Sequence, residues 1–368
     1  MSANPIRVGI LGAQPGRSWA ARAHIPALRS LPADFEIVAV ANTTLRSAEV
    51  AARELDIPLA FAGVDALANC ADVDLVAVTV KVPFHFQAVS TLLAAGKHIY
   101  CEWPLGNGLR EAEELAALAA KSDRTCVVGI QARAAAELAF VRDLVADGYI
   151  GHTLSTTISG TCLNWSGVVD QANAYTQDPA NGASMLAIPF AHTMAAVSSV
   201  LGDVAQLSAL LSTRRETTQV RETGEVIPMG VPDQILISGE LTSGAPISVH
   251  YRGDVPRGDG FSWVISGTRG TLEITGSGGN AQFMALAVSG AQDDHLTLDP
   301  LPLPGRYRPD QDVGFLAQNV RAMYRMMSDD IRTRGHTAPT FQDAVHLHRL
   351  LDAIETSAQS GQRIHVNY

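Results

Sequence analysis

The stretch Val8-Gly9-Ile10-Leu11-Gly12-Ala13-Gln14-Pro15-Gly16-Arg17-Ser18 follows an apolar run that begins at Ile6. This pattern predicts a buried strand, a glycine-containing turn and the start of a helix. Gly12 would form the tight turn, and Gly16 would allow the helix to pack closely on the strand. Backbone N–H groups at such a helix start face an anion, so the stretch predicts a pyrophosphate site. A packing turn without a ligand is the alternative.

The match to the usual dinucleotide fingerprint is imperfect, because Gln14 stands where a second glycine normally lets the backbone approach the phosphate. The next predicted strand ends in Asn42-Thr43-Thr44-Leu45-Arg46-Ser47, without the carboxylate that commonly binds the ribose 2′-hydroxyl of NAD. Arg46 or Arg17 would attract a 2′-phosphate instead. We therefore expect NADP(H) to be accepted at least as well as NAD(H). Alternatively, Arg46 is a solvated helix residue that contacts no phosphate.

Apolar strands alternate with helices over the first third of the chain. The predicted helices cover residues 18–29, interrupted at Pro26, 47–55, capped by Ser47, and 109–121. This alternation predicts an α/β fold with a doubly wound parallel sheet, a Rossmann domain at residues 1–130, and ligands beyond the carboxyl ends of the strands. The predicted strands cover residues 6–11, 35–41, 75–80, 98–101 and 126–130.

The pattern changes to short strands and turn pairs after about residue 150. It predicts an α+β domain at residues 131–368 with a large, open-faced, mostly antiparallel sheet. A half-apolar open sheet is a natural assembly surface, so we expect a homodimer or homotetramer. The closing helices are expected at 312–327 and 341–359, with the last one able to pack back on the first domain. The predicted strands cover residues 153–162, 204–213, 234–242, 248–252, 262–266 and 271–275, before a surface connection at 299–309.

Charge and composition exclude several classes of protein. The 368 residues carry 27 Lys and Arg against 37 Asp and Glu, a net charge of −10 at pH 7. Clustered cations are needed to bind a phosphate backbone, so no nucleic-acid partner is expected. No uninterrupted apolar run approaches the roughly 18 residues of a membrane span, and residues 1–7 lack the pattern of a signal peptide. We expect a cytoplasmic protein with reduced thiols at Cys70, Cys101, Cys126 and Cys162.

More specific residues lie around position 100. The run Ala95-Gly96-Lys97-His98-Ile99-Tyr100-Cys101-Glu102-Trp103-Pro104 follows Val80-Lys81-Val82-Pro83-Phe84-His85. Further along are Gly129-Ile130-Gln131-Ala132-Arg133, Gly148-Tyr149-Ile150-Gly151 and Gly267-Thr268-Arg269-Gly270-Thr271-Leu272. Over nearly the whole chain this pattern resembles the Gfo/Idh/MocA family of sugar and polyol oxidoreductases. The resemblance implies a Rossmann domain followed by an open-faced mixed sheet, with NADP or NAD as cofactor.

Within that family the chain is similar to the branch that contains the fungal galactose-regulon repressor. The similarity lies in residues 17–27, in Glu102-Trp103, in Phe190-Ala191-His192-Thr193 and in Pro232-Asp233-Gln234. That repressor binds a nicotinamide dinucleotide and works through protein contacts without acting as an enzyme. The resemblance to this branch therefore implies a non-catalytic alternative.

The usual catalytic groups of the family are partly missing. They are a Lys within Glu-Lys-Pro and an Asp four residues before a His, whereas this chain has Trp103 and Ile188 at the first two positions and keeps only His192. Neither replacement can transfer a proton. Lys81, at the carboxyl end of a predicted central strand, is the best substitute, since a poorly solvated Lys acts as acid or base. A structural ion pair with the cofactor phosphate or Glu102 is its alternative role.

The remaining site residues follow from the same resemblance and from side-chain chemistry. A Trp beside an Asn suits a sugar ring and its hydroxyls, although ordinary packing is an equal alternative. His192 would relay a proton, or be a core histidine bonded to backbone. The substrate-binding candidates are Trp103, Arg133, Asn164, Trp165 and Tyr175. The cofactor-binding candidates are Gly12, Ala13, Gln14, Gly16, Arg17, Ser18, Trp19, Asn42, Thr43, Arg46, Thr79, Lys81, His85, Glu102, Trp103 and Gln131.

These residues predict an NAD(P)-dependent oxidoreductase acting on a sugar, polyol or related hydroxy or keto compound. Lys81 and His192 would handle the proton, Glu102 would bind the nicotinamide ribose and Trp103 would wall the pocket. The alternatives are a dinucleotide-bound sensor without turnover, and a redox-neutral elimination or glycoside cleavage. We expect no metal, because His346 and His348 face different directions on a helix and Asp293-Asp294-His295 is too local to surround an ion. No Gly-x-Ser-x-Gly elbow is present, so no covalent nucleophile is expected.

Overall fold

The computed structural model describes residues 4–310 and 312–368. The chain divides into two compact units, which are described separately here. The first unit combines Met1–Ile130 with Gln311–Val345, and the second combines Gln131–Asp310 with His346–Tyr368. The predicted division into domains at 1–130 and 131–368 stays a prediction.

Strands and helices alternate regularly up to residue 130. The strands are β1 Ile6–Leu11, β2 Phe35–Asn42, β3 Leu59–Ala62, β4 Leu75–Val78, β5 His98–Glu102 and β6 Cys126–Gly129. The α-helices are α1 Ile25–Arg29, α2 Leu45–Glu54, α3 Gly63–Ala68, α4 His85–Ala94 and α5 Leu109–Ala119.

These strands form one parallel sheet in the order β3-β2-β1-β4-β5-β6. Strands β1 and β4 lie at its centre, and the chain reverses the direction of strand order between them. Every residue of β4 is buried, as expected for a strand covered by helices on both faces. Ligands of such sheets bind outside the carboxyl ends of the strands at this switch point. The predicted doubly wound parallel sheet is confirmed.

The second part of the chain is richer in strands, and its α-helices up to residue 310 are α6 Ala136–Ala146 and α7 Ala191–Leu201. The strands are β7 Thr153–Cys162, β8 Val168–Val169, β9 Val204–Ser212, β10 Thr217–Val220, β11 Val226–Pro228, β12 Gln234–Leu241, β13 Pro246–Gly253, β14 Phe261–Gly267, β15 Gly270–Gly276, β16 Leu286–Gln292 and β17 Asp299–Pro300. The last elements are α8 Phe315–Thr333, α9 Phe341–Ser360 and β18 Ile364–His365.

A large sheet runs in the order β17-β16-β15-β14-β7-β13-β12-β9-β18. Only the pairing of β13 with β7 is parallel among the described strands of this sheet, so the predicted, mostly antiparallel sheet is confirmed. Alternate residues are buried along its strands, as in Phe261, Trp263 and Ile265 of β14. This alternation places one face of the sheet on a core and leaves the other open. A smaller sheet has the order β11-β10-β8.

The predicted helix at 18–29 differs from the observed segment, which is a π-helix at Ala20–His24 followed by α1. Pro26 explains the difference, because it has no N–H to bond the carbonyl oxygen four residues earlier. The N–H of Ile25 instead bonds the carbonyl of Ala20, five residues earlier. Such local widening of a helix often occurs at functional sites.

The helix predicted at 47–55 begins two residues earlier, at Leu45. Its amino-terminal cap is Thr44 rather than Ser47, because the Thr44 side chain accepts a hydrogen bond from the Ser47 N–H at 3.2 Å. The predicted connection at 299–309 contains β17 and a short 3₁₀ turn, Gly305–Tyr307. The other short helices are Val82–Phe84, Gln131–Ala134, Leu163–Trp165, Gln171–Gln177, Pro179–Asn181 and the π-helix Leu186–Phe190.

One segment has the length and composition of a membrane span. In Pro179–Leu201 the mean hydropathy of an 18-residue window reaches 1.5, but 67% of that window is buried inside the protein. Buried core helices of globular proteins have the same composition, so this segment is weak evidence for a membrane. The four cysteines are free thiols, with Cys101 and Cys162 buried.

Candidate functional site

The glycine turn lies where β1 ends beside the segment that follows β4. Gly12 has a φ of +98°, and a Cβ built on it would lie 2.7 Å from Val80 Cγ1 and 3.2 Å from the Val80 backbone nitrogen. A side chain at this position would therefore be strained and would collide with the neighbouring segment. Glycine is required at this position for the reason that the pattern predicts: the turn is tight, and two backbone segments approach each other closely.

Two side chains fix the path of this turn. Asn42, at the end of β2, accepts a hydrogen bond from the Ala13 N–H at 3.0 Å and donates to the Ala13 carbonyl at 2.8 Å. Ser18 accepts from the Gln14 N–H at 2.9 Å and donates to the Gln14 carbonyl at 3.0 Å. Asn42 and Ser18 therefore shape the turn from within the unit, which limits their freedom to bind a ligand with the same atoms.

The outer part of the turn is open. Gln14, Gly16 and Arg17 are exposed, and a Cβ built on Gly16, whose φ is +68°, would meet no atom within 4 Å. The outer side of the turn is therefore accessible to a ligand, while the N–H groups of Arg17 and Ser18 donate to the Gln14 carbonyl at 3.2 and 3.0 Å within the turn. Thr43 and Arg46 are also exposed, whereas Ala13 is buried and Trp19 is half-buried.

The end of β4 carries two of the candidate residues. Thr79 donates its hydroxyl to the Leu11 carbonyl at 2.9 Å, which ties the ends of β4 and β1 together. Lys81 lies three residues after β4, immediately before the 3₁₀ turn Val82–Phe84, and it is exposed. The poorly solvated environment that would favour proton transfer by Lys81 is therefore absent from the structure.

His85 is enclosed, with 1% of its surface exposed. Its Nε2 lies 2.9 Å from the Val80 carbonyl oxygen and its Nδ1 lies 2.8 Å from the Pro104 carbonyl oxygen. Burial lowers the pKa of His85, so the ring is neutral and donates its one proton to one of these carbonyls. His85 thus joins the segments after β4 and β5 and does not itself face solvent.

Glu102 ends β5, and its side chain keeps 15% exposure. Its Oε1 lies 2.9 Å from Nε2 of His24, whose ring is fully buried. Trp103, which follows, is 5% exposed, and the Trp103–Pro104 peptide bond is cis. No local pattern in the sequence links His24 to Glu102, because 78 residues separate them.

In the second unit, His192 lies in the first turn of α7 and is 3% exposed. Burial lowers its pKa to about 3, and its Nδ1 has no hydrogen-bond partner among the described residues. The neighbouring Thr193 donates to the Tyr251 hydroxyl at 2.6 Å, and Tyr251 donates to the Gly279 carbonyl at 3.1 Å. These bonds hold the start of α7 against the large sheet.

The position four residues before His192 lies in the π-helix Leu186–Phe190. Pro189 lacks the N–H for a regular helical bond, and the Phe190 N–H bonds the Met185 carbonyl five residues back at 3.2 Å. Ile188 in this segment is half-buried. An isoleucine side chain at this position can contribute packing but no proton transfer.

The other candidates of the second unit differ in exposure. Trp165 is 3% exposed, and its Nε1 has no hydrogen-bond partner among the described residues, while Asn164 accepts from Gln177 through its backbone carbonyl at 3.0 Å. Tyr175 is half-buried, and burial raises its pKa. Gln131 is 1% exposed and Arg133 is exposed.

The candidate residues thus fall into two groups. Those from Gly12 to Trp103 gather at the carboxyl ends of β1, β2, β4 and β5 in the first unit. Gln131, Arg133, Asn164, Trp165, Tyr175 and His192 belong to the second unit.

Asp233, from the Pro232-Asp233-Gln234 pattern, has a structural role. It is fully buried and accepts hydrogen bonds from the backbone N–H groups of Arg214 at 2.8 Å and Arg215 at 3.1 Å. The pattern therefore marks a loop anchored beside β12.

The histidine clusters that were rejected as metal sites have other partners. His346 pairs with Asp203 at 3.0 Å, and His295 pairs with Asp299 at 2.8 Å. Within residues 4–310 and 312–368, no group of three or more His, Cys, Asp or Glu side chains is arranged to hold a metal ion.

Comparison with known families matches the two parts of the chain separately. Residues 6–130 match the Gfo/Idh/MocA model, described as an oxidoreductase family with an NAD-binding Rossmann fold. Residues 137–276 match the Gal80p C-terminal domain. The resemblance inferred from the motifs, including the branch, is confirmed by these matches.

Individual relatives fall into two kinds. The galactose/lactose metabolism regulatory protein GAL80 of Kluyveromyces lactis is 29% identical over 78% of this chain and 67% of its own length. Dehydrogenase aclE of Aspergillus oryzae is 30% identical over 74% of this chain and 77% of its own length. The crystal structure of the transcriptional regulator Gal80p from Kluyveromyces lactis superposes with a TM-score of 0.86 at 26% identity, over 100% of this chain and 95% of that one. The chain therefore belongs to the Gfo/Idh/MocA oxidoreductase family, with its NAD-binding Rossmann fold followed by a domain of the Gal80p C-terminal type.

Proposed function

We propose that this protein is a regulatory protein that binds NADP or NAD and passes its bound state to another protein without turning over a substrate. The observation that carries the proposal is the loss of proton-transfer chemistry at the family's catalytic positions. Trp103 and Ile188 cannot exchange protons, and the remaining His192 is buried with its pKa lowered to about 3. A histidine in that state cannot cycle between its neutral and charged forms near neutral pH.

The dinucleotide would lie at the carboxyl ends of the parallel strands. The open outer turn at Gly16 and Arg17 would receive the pyrophosphate, and Glu102 would accept hydrogen bonds from the nicotinamide ribose. A bound nicotinamide would supply a hydride donor or acceptor. The adenosine half would lie toward Thr43 and Arg46, which are exposed.

NADP would be accepted at least as well as NAD. Asn42 is neutral and committed to Ala13, so no carboxylate ends β2 to repel a 2′-phosphate. Arg46, at the exposed start of α2, would contact that phosphate.

An oxidoreductase acting on a sugar or polyol is the second candidate function. The observation that favours it is the position of Lys81, an exposed ammonium group just beyond the carboxyl end of the central strand β4. Arg133, Asn164, Trp165 and Tyr175 of the second unit would then contact the substrate. The dehydrogenase aclE, with its similar sequence, supports this candidate.

One experiment separates the two functions. The purified chain is examined for bound nicotinamide by absorbance and fluorescence, and then incubated with NADP or NAD and a panel of sugars and polyols. The regulatory function predicts a bound dinucleotide with no change at the reduced-cofactor absorbance band and no conversion of any sugar. Reduced cofactor that forms in the unaltered protein and disappears in Lys81→Met would establish the dehydrogenase. Conversion without net reduction would establish the redox-neutral route.

The open face of the large sheet is the surface that we propose for assembly as a homodimer or homotetramer. Leu210 and Leu236 lie opposite each other on β9 and β12 and are 58% and 38% exposed. Covering such residues with a second copy would bury apolar surface. Sedimentation of Leu210→Glu is expected to show weakened association, whereas Leu296→Glu, at a loop residue that is 97% exposed, should sediment as the parent. A parent chain that is monomeric at micromolar concentration would contradict the proposal.

The buried position of the apolar segment Pro179–Leu201 and the free thiols support a cytoplasmic location.

A further inference from the structure

A chain of three polar side chains crosses the interior of the first unit. Tyr324 of α8 places its hydroxyl 2.7 Å from Nδ1 of His24, and Nε2 of His24 lies 2.9 Å from Oε1 of Glu102. Tyr324 and His24 are both fully buried, and they are 300 residues apart in the sequence. Helix α8 packs on the π-helix that carries His24, so the later part of the chain completes this arrangement.

Aromatic rings surround the central histidine. Its ring meets Tyr100 edge-on at 5.1 Å and Tyr324 edge-on at 5.6 Å, between centroids. The ring of Tyr324 in turn lies 4.7 Å from Tyr100 and 5.4 Å from Phe35. An enclosure of this kind fixes the orientation of the imidazole and excludes water from its Nδ1 side.

The positions of the protons on Tyr324, His24 and Glu102 follow from the chemistry of these three side chains. Burial raises the pKa of Tyr324 well above its usual value, so the phenol keeps its proton and has one to donate. Donation to Nδ1 leaves the imidazole proton on Nε2, where Glu102 accepts it. In this order each group uses the atom that faces its neighbour.

Of the three hydrogen-bonded side chains, Glu102 is the one that lies at the ligand-binding edge of the sheet. It ends β5 at the carboxyl edge, and its side chain keeps 15% exposure while His24 keeps none. A carboxylate at this edge is suited to accept hydrogen bonds from a ribose diol. Its usefulness for that purpose depends on a fixed orientation, which a single hydrogen bond from a locked imidazole provides.

We propose that Tyr324 and His24 are positioning residues that orient the Glu102 carboxylate toward a ribose diol of the bound dinucleotide, through a directional Tyr324–His24–Glu102 hydrogen-bond relay. This inference rests on the proposed dinucleotide binding and adds residues to that site. It also gives α8 a function at the site, because its Tyr324 side chain holds the imidazole that holds the carboxylate.

The test compares ligands that contain or lack the second ribose. Calorimetric titrations of the full chain use NADP, NAD, ADP-ribose and ADP with the unaltered protein, Tyr324→Phe and the control Tyr100→Phe. Tyr100 belongs to the same aromatic cluster but meets His24 through its ring. Tyr324→Phe should weaken NADP, NAD and ADP-ribose roughly five- to tenfold and leave ADP unchanged. Tyr100→Phe should bind all four ligands as the unaltered protein does.

Each of the other outcomes contradicts a specific part of the proposal. Equal losses for ADP and ADP-ribose, or no loss at all, would overturn the relay and leave dinucleotide binding intact. An unaltered protein that binds no dinucleotide would overturn the proposed function together with the relay.

A second measurement needs no ligand. Nitrogen-15 NMR of histidine-labelled protein, with His24→Gln used for assignment, should show a proton on Nε2 of His24 and an Nδ1 that accepts a hydrogen bond. An imidazolium, or a proton on Nδ1, would overturn the relay.

Discussion

Asn42 and Ala13 bind each other through two hydrogen bonds, one in each direction. The Ala13 N–H donates to Asn42 Oδ1 at 3.0 Å, and Asn42 Nδ2 donates to the Ala13 carbonyl at 2.8 Å. The amide supplies the donor and the acceptor from two separate atoms, which a carboxylate cannot do. The residue that ends β2 therefore shapes the glycine turn and, because it is neutral, leaves no negative charge beside the position expected for a 2′-phosphate.

Asn42→Asp should change both stability and cofactor preference. The carboxylate can accept from Ala13 but cannot donate, so we expect a loss of about 1–2 kcal/mol in the free energy of unfolding. The new negative charge should weaken NADP relative to NAD by about tenfold or more. Urea unfolding and calorimetry measure the two effects. An unchanged ratio of NADP to NAD affinity would show that this position does not face the 2′-phosphate.

Arg46→Ala tests the cation that we expect at the same phosphate. Loss of a charge-assisted contact should lower NADP affinity roughly tenfold and leave NAD affinity unchanged. Arg53→Ala, an exposed arginine in the last turn of the same helix, is the matched control and should bind both dinucleotides as the parent does. Equal affinity of the two variants for NADP would remove Arg46 from the site.

Gly12→Ala should be far more damaging than Gly16→Ala. Both glycines have a positive φ, but only at Gly12 would a methyl group meet a neighbour, Val80 Cγ1 at 2.7 Å. We expect a loss of about 3 kcal/mol or more in unfolding free energy for Gly12→Ala, and about 1–2 kcal/mol for Gly16→Ala. Denaturant titrations of the two variants give the comparison. Equal losses would contradict the close approach of the turn to Val80.

The buried His192 should make stability depend on pH. Its pKa is lowered from 6.5 to about 3 in the folded chain, so between these values the unfolded state binds a proton that the folded state does not. The free energy of unfolding therefore falls as the pH drops below 6.5, by up to about 1.4 kcal/mol per pH unit from this residue.

His192→Gln removes this titration, so its stability relative to the parent should improve by about 2 kcal/mol between pH 7 and pH 5. Urea unfolding at several pH values measures the difference. Parallel curves for His192→Gln and the parent would show that His192 is not held neutral.

The parallel sheet could be predicted from the strands and turns of the first 130 residues, because strands buried on both faces have to be continuously apolar. Leu75–Val78 is an example, fully buried in the sheet and apolar in the sequence. The Gly12 turn was predictable because a glycine directly after an apolar strand is typical of a tight turn, and Gly12 has a φ of +98°. Ser47 was wrongly expected as a helix cap because Thr44, three residues earlier, makes an equally good cap and lies at the actual start.

Contacts between segments that are far apart in the sequence could not be predicted from local sequence patterns. His24 sits between Glu102 and Tyr324, and the second of these lies 300 residues away, so no local pattern could join them. The exposure of Lys81 and the burial of His192 depend on how whole segments pack. Their expected catalytic roles came from the strand end before Lys81 and from the family resemblance at His192. Spacing in the sequence could identify the type of chemistry but not the solvent exposure that decides whether it can occur.

Calorimetric titration of the purified chain with NADP and NAD, oxidised and reduced, tests the central claim most directly. We expect saturable binding of a dinucleotide at one site per chain, with NADP bound at least as tightly as NAD. The absence of measurable heat and of any bound nicotinamide, for all four forms, would contradict dinucleotide binding at the glycine turn.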